Sequence, residues 1–176
     1  FNYFTIIAAL ASMPLAFTYP LMKRFTYWPQ LFLGVTFNYG LILGWTSINP
    51  TITLVPLVFY IGAIFWTLGY DTIYGLQDIR DDEIIGTKST AIKFKDNIKI
   101  FVSACYCLFV FFILILFFMM EINKINLILA ILFILSLVYQ IKIFNRTEPK
   151  SCLKAFKNNN LVGFFVFMFI LSFTIL

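Results

Sequence analysis

Six long apolar runs, separated by polar or charged segments, dominate the hydrophobic pattern of the 176-residue chain. Most of them are close to the ~20 residues that an α-helix needs to cross the hydrocarbon core of a bilayer. The pattern therefore predicts an all-α fold, a polytopic transmembrane helix bundle with about six spans. The last run is the shortest, and it is expected either to use the membrane interface or to end prematurely. The predicted spans are residues 1–22, 27–47, 51–70, 100–120, 125–141 and 161–176.

The composition supports a membrane protein and excludes several other classes. Hydrophobic residues make up 61% of the chain and charged residues 12%, whereas soluble domains average about 45–50% apolar and about 25% charged residues. A soluble domain, a disordered segment and a secreted disulfide scaffold are therefore excluded. With 3 cysteines, none in a CxxC pair, and no histidine, the chain predicts neither a zinc site nor catalysis by an imidazole base.

The positive charges are distributed unevenly between the two sides that six alternating spans create. The loops at residues 23–26, 71–99 and 142–160 share one side and contain 12 of the 13 Lys and Arg residues, while Lys124 is alone on the other. This asymmetry follows the positive-inside rule and predicts that the three loops face the cytoplasm or the mitochondrial matrix. The net charge of +5 is thus interpreted as orientation charge and lipid contact, with no nucleic-acid partner.

The loop at residues 71–99 concentrates acidic side chains, because six of the eight Asp and Glu residues lie between Asp71 and Asp96. If the third span continued as a helix, four side chains would share one face at i, i+3, i+7 and i+11. Carboxylates without His or Cys favour Mg²⁺ over zinc. The alternative is a solvated acidic loop balanced by neighbouring cations. The four side chains that would share one face of a continuous helix are Asp71, Tyr74, Asp78 and Asp82.

Basic residues that complement this acidic segment lie on the same predicted side. Lys23 and Arg24 end the first span, and the Arg24 guanidinium offers a planar fork that suits carboxylate or phosphate oxygens. Lys88, in a Gly-Thr-Lys-Ser-Thr stretch, is a further candidate for contact with phosphate. Ordinary juxtamembrane charge remains the alternative for each of these lysines.

Two stretches resemble a known family. YDTIYGLQDIRDDEIIGTKSTAIKF, residues 70–94, is similar to the second aspartate-rich motif of the UbiA-type membrane prenyltransferases. YPLMKRFTYWPQLFLG, residues 19–34, resembles the segment that precedes the fifth span of that family. Together they look like the 4-hydroxybenzoate polyprenyltransferase branch, which acts in ubiquinone biosynthesis. Homogentisate, a naphthoate or a haem stays open as another acceptor.

The resemblance implies a function and a set of site residues. It implies Mg²⁺-dependent transfer of a polyprenyl group from a polyprenyl diphosphate to the ring carbon ortho to the hydroxyl of 4-hydroxybenzoate. Catalysis is assigned to Asp78, Asp82 and Arg24. The implied magnesium ligands are Asp78 and Asp82, with Asp71 and Asp81 as further members. The implied contacts to diphosphate or substrate are Arg24, Lys23, Lys88 and Tyr74.

One departure from the family pattern matters, since the chain contains no motif of the NDxxDxxxD kind. Its six spans would correspond to helices four to nine of a nine-helix fold. Residues 1–176 are therefore expected to be the C-terminal two-thirds of a single transmembrane prenyltransferase domain, inactive on their own. The expected location is a bacterial or mitochondrial inner membrane.

Two other classes of function remain open. The first is a membrane transporter of an anionic solute that uses the acidic loop for cation coupling, although transporters usually place ionisable groups near the midplane. The second is a non-catalytic, truncated membrane scaffold.

Overall fold

The computed structural model describes residues 2–49, 51–121 and 123–175. Residues 1 and 176, which end two of the predicted spans, lie outside these ranges. Within the ranges the chain forms ten α-helices and a 3₁₀ turn at Tyr19–Leu21. The α-helices are α1 (Tyr3–Thr18), α2 (Met22–Phe25), α3 (Pro29–Ile48), α4 (Leu54–Gly75), α5 (Ile79–Ile85), α6 (Thr90–Lys93), α7 (Ile98–Met119), α8 (Lys124–Ile143), α9 (Pro149–Lys157) and α10 (Asn159–Ile175).

The six-span prediction is confirmed. Six helical segments of the described chain are long and apolar enough to cross a membrane. The prediction that the last span is short was wrong, because α9 leads into α10 and the two form a 25-residue candidate span. A count of apolar residues missed this extension because α9 contains three lysines. The six segments are Tyr3–Phe25, Pro29–Ile48, Leu54–Gly75, Ile98–Met119, Lys124–Ile143 and Pro149–Phe173.

Helix α4 is central to the packing, with α3 on one side and α7 on the other. Close approach depends on small residues, as is usual between helices in a membrane. A Cβ added at Gly69 would come within 3.0 Å of the Tyr106 ring, and one at Gly62 would lie 3.0 Å from Phe112 Cβ. Helix α8 packs against α10 and completes the core, where Phe109, Phe133 and Phe169 are fully buried.

Buried and half-buried polar side chains connect the helices of this bundle. The Tyr106 hydroxyl of α7 donates to Gln140 Oε1 of α8 at 2.5 Å. The Trp66 Nε1–H of α4 donates to Asn159 Oδ1 of α10 at 2.9 Å. Because an unpaired polar group is costly in an apolar environment, these bonds fix how α4, α7, α8 and α10 are arranged relative to one another.

The three basic loops meet at one end of the bundle. The backbone N–H of Lys88 donates to the Lys23 carbonyl at 2.9 Å, and Arg146 Nη1 donates to the Lys95 carbonyl at 2.6 Å. At the opposite end, Asn2 Nδ2 donates to the Thr46 carbonyl at 2.7 Å. The alternation of loops that the charge pattern predicted is therefore present in the fold, and we call the first of these ends the loop end.

Candidate active site

The acidic segment is divided between two helices. Helix α4 ends at Gly75, and α5 begins at Ile79 with Asp78 as its N-cap residue. Asp71 and Tyr74 therefore belong to α4, whereas Asp82 belongs to α5. The expectation that one continuous helix places Asp71, Tyr74, Asp78 and Asp82 on a single face was wrong.

Helix electrostatics give the physical reason for this break. In one continuous helix, Asp78, Asp81 and Asp82 would lie near the C-terminus, where carboxylates oppose the helix macrodipole. The break places Asp81 and Asp82 in the first turn of α5, where their charge is favourable. Gly75 is a poor helix former, and Leu76 turns into the core with 1% of its surface exposed. Local electrostatics and burial thus both favour a helix end here.

Helix α5 carries its charged side chains on different faces. Asp78 and Asp82 are one turn apart, since the Asp82 N–H donates to the Asp78 carbonyl at 2.9 Å. This spacing assigns the two residues to one face of the helix, and Glu83 lies more than a quarter turn away from that face. Glu83 Oε1 accepts a hydrogen bond from Lys95 Nζ at 2.8 Å, and this bond raises the pKa of Lys95. Asp81 is exposed. Lys95 thus pairs with Glu83, and neither of the ion pairs found in the described part of the chain includes Asp78 or Asp82.

The backbone fixes the position of Asp82. Its carbonyl accepts the N–H groups of Gly86 and Thr87, each at 3.0 Å. Gly86 ends α5 with a φ of +80°, a left-handed conformation that glycine adopts without steric cost. The turn at residues 86–87 therefore both terminates the helix and directs the chain toward Lys88.

Asp71 and the predicted basic residues lie at the same end of the bundle. The ammonium group of Lys23 is close enough to the Asp71 carboxylate to attract it electrostatically. Lys88 Nζ donates to the Phe25 carbonyl at 3.3 Å, which holds it beside α2. The Arg24 guanidinium is exposed on α2. The structure thus places Lys23, Arg24 and Lys88 at the same end of the bundle as Asp71, with Lys23 the one that acts on its carboxylate.

The carboxylates do not form a closed metal cage. No group of three or more Asp, Glu, Cys or His side chains in residues 2–49, 51–121 and 123–175 is arranged to hold a metal ion. Asp78 with Asp82 forms one acidic pair, and Asp71 beside Lys23 is a separate element. The loop end thus offers two carboxylates one turn apart on α5 and several exposed cations at the same end of the bundle.

Tyr74 belongs to an aromatic group between α4 and α9. Its ring centroid lies 4.7 Å from that of Phe156, which in turn lies 5.9 Å from Tyr70. Tyr74 is still 42% exposed. Helix α9, which carries Phe156, therefore supports the end of α4 that bears Asp71.

A buried polar cluster that the sequence did not reveal anchors the segment at residues 87–94. The Thr90 N–H donates to Gln30 Oε1 at 3.0 Å. The Thr72 hydroxyl lies 2.6 Å from both the Leu68 carbonyl and the Thr90 hydroxyl. Since Thr72 has one proton, which goes to Leu68, Thr90 donates to Thr72. The signal that could have identified Gln30 is a lone amide in the first turn of an apolar helix.

We expect Gln30→Ala to lower the free energy of unfolding by about 1–3 kcal/mol, because the buried Thr90 N–H loses its acceptor. Thermal unfolding and hydrogen exchange of the Thr90 amide measure the effect. Gln77→Ala is the matched control, since its side chain makes only a local surface bond to the Tyr74 carbonyl. Equal stability of the two variants would contradict this anchoring role.

Comparison with known proteins places this arrangement in a family. The model of the UbiA prenyltransferase family matches residues 1–173. The chain is 53% identical over 102 residues to mitochondrial 4-hydroxybenzoate polyprenyltransferase from Homo sapiens, and 50% identical over 103 residues to the protein of that name from Arabidopsis thaliana. These alignments cover 56% and 58% of this chain but only 27% and 25% of the relatives. The match therefore spans about a quarter of each relative's length.

A solved structure shows the same fold. The apo structure of a UbiA homolog from Aeropyrum pernix K1 superposes with a TM-score of 0.79 at 19% sequence identity. The superposition covers 97% of this chain and 64% of that one. The family-model match and the shared helical architecture agree, and the chain belongs to the UbiA prenyltransferase family.

Proposed function

We propose that the full-length protein transfers a polyprenyl group from a polyprenyl diphosphate to the ring carbon ortho to the hydroxyl of 4-hydroxybenzoate, as a step in ubiquinone biosynthesis. In this reaction the allylic C–O bond breaks and the diphosphate leaves with the electron pair. A ring carbon then forms the new C–C bond, and the ring loses a proton. The observation that carries the proposal is the identity of about half of the aligned residues with 4-hydroxybenzoate polyprenyltransferases.

The residues at the loop end fit a magnesium diphosphate better than a bare metal ion. Proteins often hold Mg²⁺ with one or two carboxylates, while waters and substrate phosphates complete its shell. Asp78 and Asp82 provide such a pair, with Asp71 and Asp81 as further candidates. When bound, the ion would supply positive charge against the leaving diphosphate.

The basic residues have a separate role in this proposal. Lys23, Arg24 and Lys88 would bind the diphosphate or the benzoate carboxylate, since charge-assisted bonds to such anions are strong. Tyr74 would contact the substrate beside them. Cations placed where negative charge develops lower the barrier to ionisation of the donor. All these charges lie at one end of the bundle. This arrangement suits an enzyme whose substrate has a membrane-soluble polyprenyl chain and a charged diphosphate group.

The single-domain interpretation is part of the same proposal. Residues 1–176 would form part of one transmembrane prenyltransferase domain in which residues 71–99 carry one of two aspartate motifs. The reaction site would face the cytoplasm or the mitochondrial matrix. We propose that these 176 residues lack activity when separated from the rest of that domain.

An assay of the full-length protein in membranes tests the proposed reaction. Polyprenyl diphosphate and 4-hydroxybenzoate are supplied with Mg²⁺, with EDTA in a parallel sample, and prenylated product is measured. We expect product with Mg²⁺ and none with EDTA. Folded protein that yields no product from 4-hydroxybenzoate, but uses homogentisate or a naphthoate, would refute the acceptor. No product from any aromatic acceptor would refute the reaction.

A further inference from the structure

Helix α9 presents a basic face to its surroundings. Lys150, Lys154 and Lys157 recur at i, i+4 and i+7, so their side chains lie on one side of the helix. All three are exposed, whereas Cys152 and Ala155 on the opposite side are fully buried. That buried side packs against α4 and α8. The helix is therefore amphipathic, with its cationic face turned away from the protein.

The protein itself does not neutralise this face. The ion pairs found among residues 2–49, 51–121 and 123–175 are Lys95–Glu83 and Arg146–Asp96, and neither includes a lysine of α9. Glu148 is the only acidic residue in the loop and helix at 142–160. The three ammonium groups thus have no carboxylate partner in the part of the chain that the structure describes.

The length of the last span predicts that these lysines lie at the depth of lipid headgroups. The span Pro149–Phe173 has 25 residues, which at 1.5 Å per residue is ~37 Å, longer than a hydrocarbon core of ~30 Å. Measured from Phe173, the Cα positions of Lys157, Lys154 and Lys150 lie ~24, ~29 and ~35 Å along the axis. With Phe173 at the opposite edge of the hydrocarbon core and α9 continuing the axis of α10, Lys157 would reach the interface by extending its side chain outward, and the other two would lie at or above it.

We propose that Lys150, Lys154 and Lys157 bind the headgroups of anionic phospholipids, in preference to zwitterionic ones. A headgroup with net negative charge complements three cations that have no partner, and the depth of the lysines matches the plane of the lipid phosphates. Phe156, on the same helix, contacts the Tyr70 and Tyr74 rings. The bound lipid would thus lie behind the end of α4 that carries Asp71. This proposal does not depend on the reaction proposed above.

Lipid binding to the purified full-length protein tests the proposal. Native mass spectrometry in detergent measures the affinities for phosphatidylglycerol and for phosphatidylcholine. Each lysine near an anionic surface changes binding about fivefold, so the triple variant K150Q/K154Q/K157Q should bind phosphatidylglycerol about a hundredfold more weakly. Its affinity for phosphatidylcholine should not change. The triple arginine variant should keep the preference, since it retains the charge.

Two controls distinguish lipid binding at the three lysines of α9 from a general effect of charge and from a site for free diphosphate. Lys124→Gln removes a charge at the opposite end of the bundle and should leave phosphatidylglycerol binding unchanged. Excess inorganic diphosphate is added to the wild-type complex to test for a site that recognises free diphosphate. Displacement of the lipid by diphosphate would overturn the proposal. Equal affinity for the two lipids, or full phosphatidylglycerol binding by the triple glutamine variant, would also overturn it.

Discussion

Alanine at Asp78 or at Asp82 is expected to lower the rate of prenyl transfer by the full-length protein at least about a hundredfold. The two carboxylates lie one turn apart on a face of α5 that Lys95 does not neutralise. Removing either one would take away one of the two principal carboxylates that this motif offers to a magnesium diphosphate. The rate is measured with saturating 4-hydroxybenzoate over a range of Mg²⁺ concentrations, and half-saturation should shift to higher Mg²⁺ in both variants.

Asp96→Asn is the matched control for this prediction. Asp96 is an acidic residue at the same end of the bundle, but its partner is Arg146, at 3.4 Å, and the side chain is 83% exposed. The variant removes the same charge without changing the face that carries Asp78 and Asp82, and should transfer at close to the wild-type rate. Activity that falls equally in Asp96→Asn and Asp78→Ala would show that net charge at the loop end matters, rather than a specific pair of ligands.

The sequence predicted the parts of this fold that depend on local composition. Span number and the grouping of loops follow from runs of apolar residues and from where Lys and Arg occur, because burial in lipid acts on each residue according to its type. The break between Gly75 and Ile79 was missed, although its causes are local. Helical periodicity continues across the break in the sequence, so spacing alone gave no sign of it.

The long-range contacts could not be predicted, because they depend on which helices become neighbours. Gln30 and Thr90 are 60 residues apart, and nothing near either residue identifies the other as its partner. Trp66 and Asn159 are 93 residues apart. Candidate site residues could nevertheless be proposed, since Asp78, Asp82 and Lys88 lie within one continuous stretch that resembles a family motif. Their roles stay predictions.

The contact between Gly69 and Tyr106 leads to the second large expected effect. We expect Gly69→Ala to lower the free energy of unfolding by about 1–3 kcal/mol, as is typical when extra atoms enter a tightly packed core. The new methyl group would come within 3.0 Å of two Tyr106 ring atoms, closer than real Cβ contacts. The ring cannot move away easily, because Tyr106 is buried and its hydroxyl is bound to Gln140. Thermal unfolding in detergent measures the loss.

A matched glycine and a double variant test this explanation. Gly40→Ala makes the same change within α3, where a Cβ meets nothing within 4 Å, and it should be neutral or slightly stabilising because alanine favours helix. Tyr106→Leu removes the obstructing ring and also leaves Gln140 without its donor. The stability lost because Gln140 has no donor is the same whether position 69 holds glycine or alanine, so this loss cancels in a double-mutant cycle. The double variant should therefore lose less stability than the two single losses combined, by ~1 kcal/mol. Simple additivity would mean that Gly69 is needed for a reason other than the approach of α7.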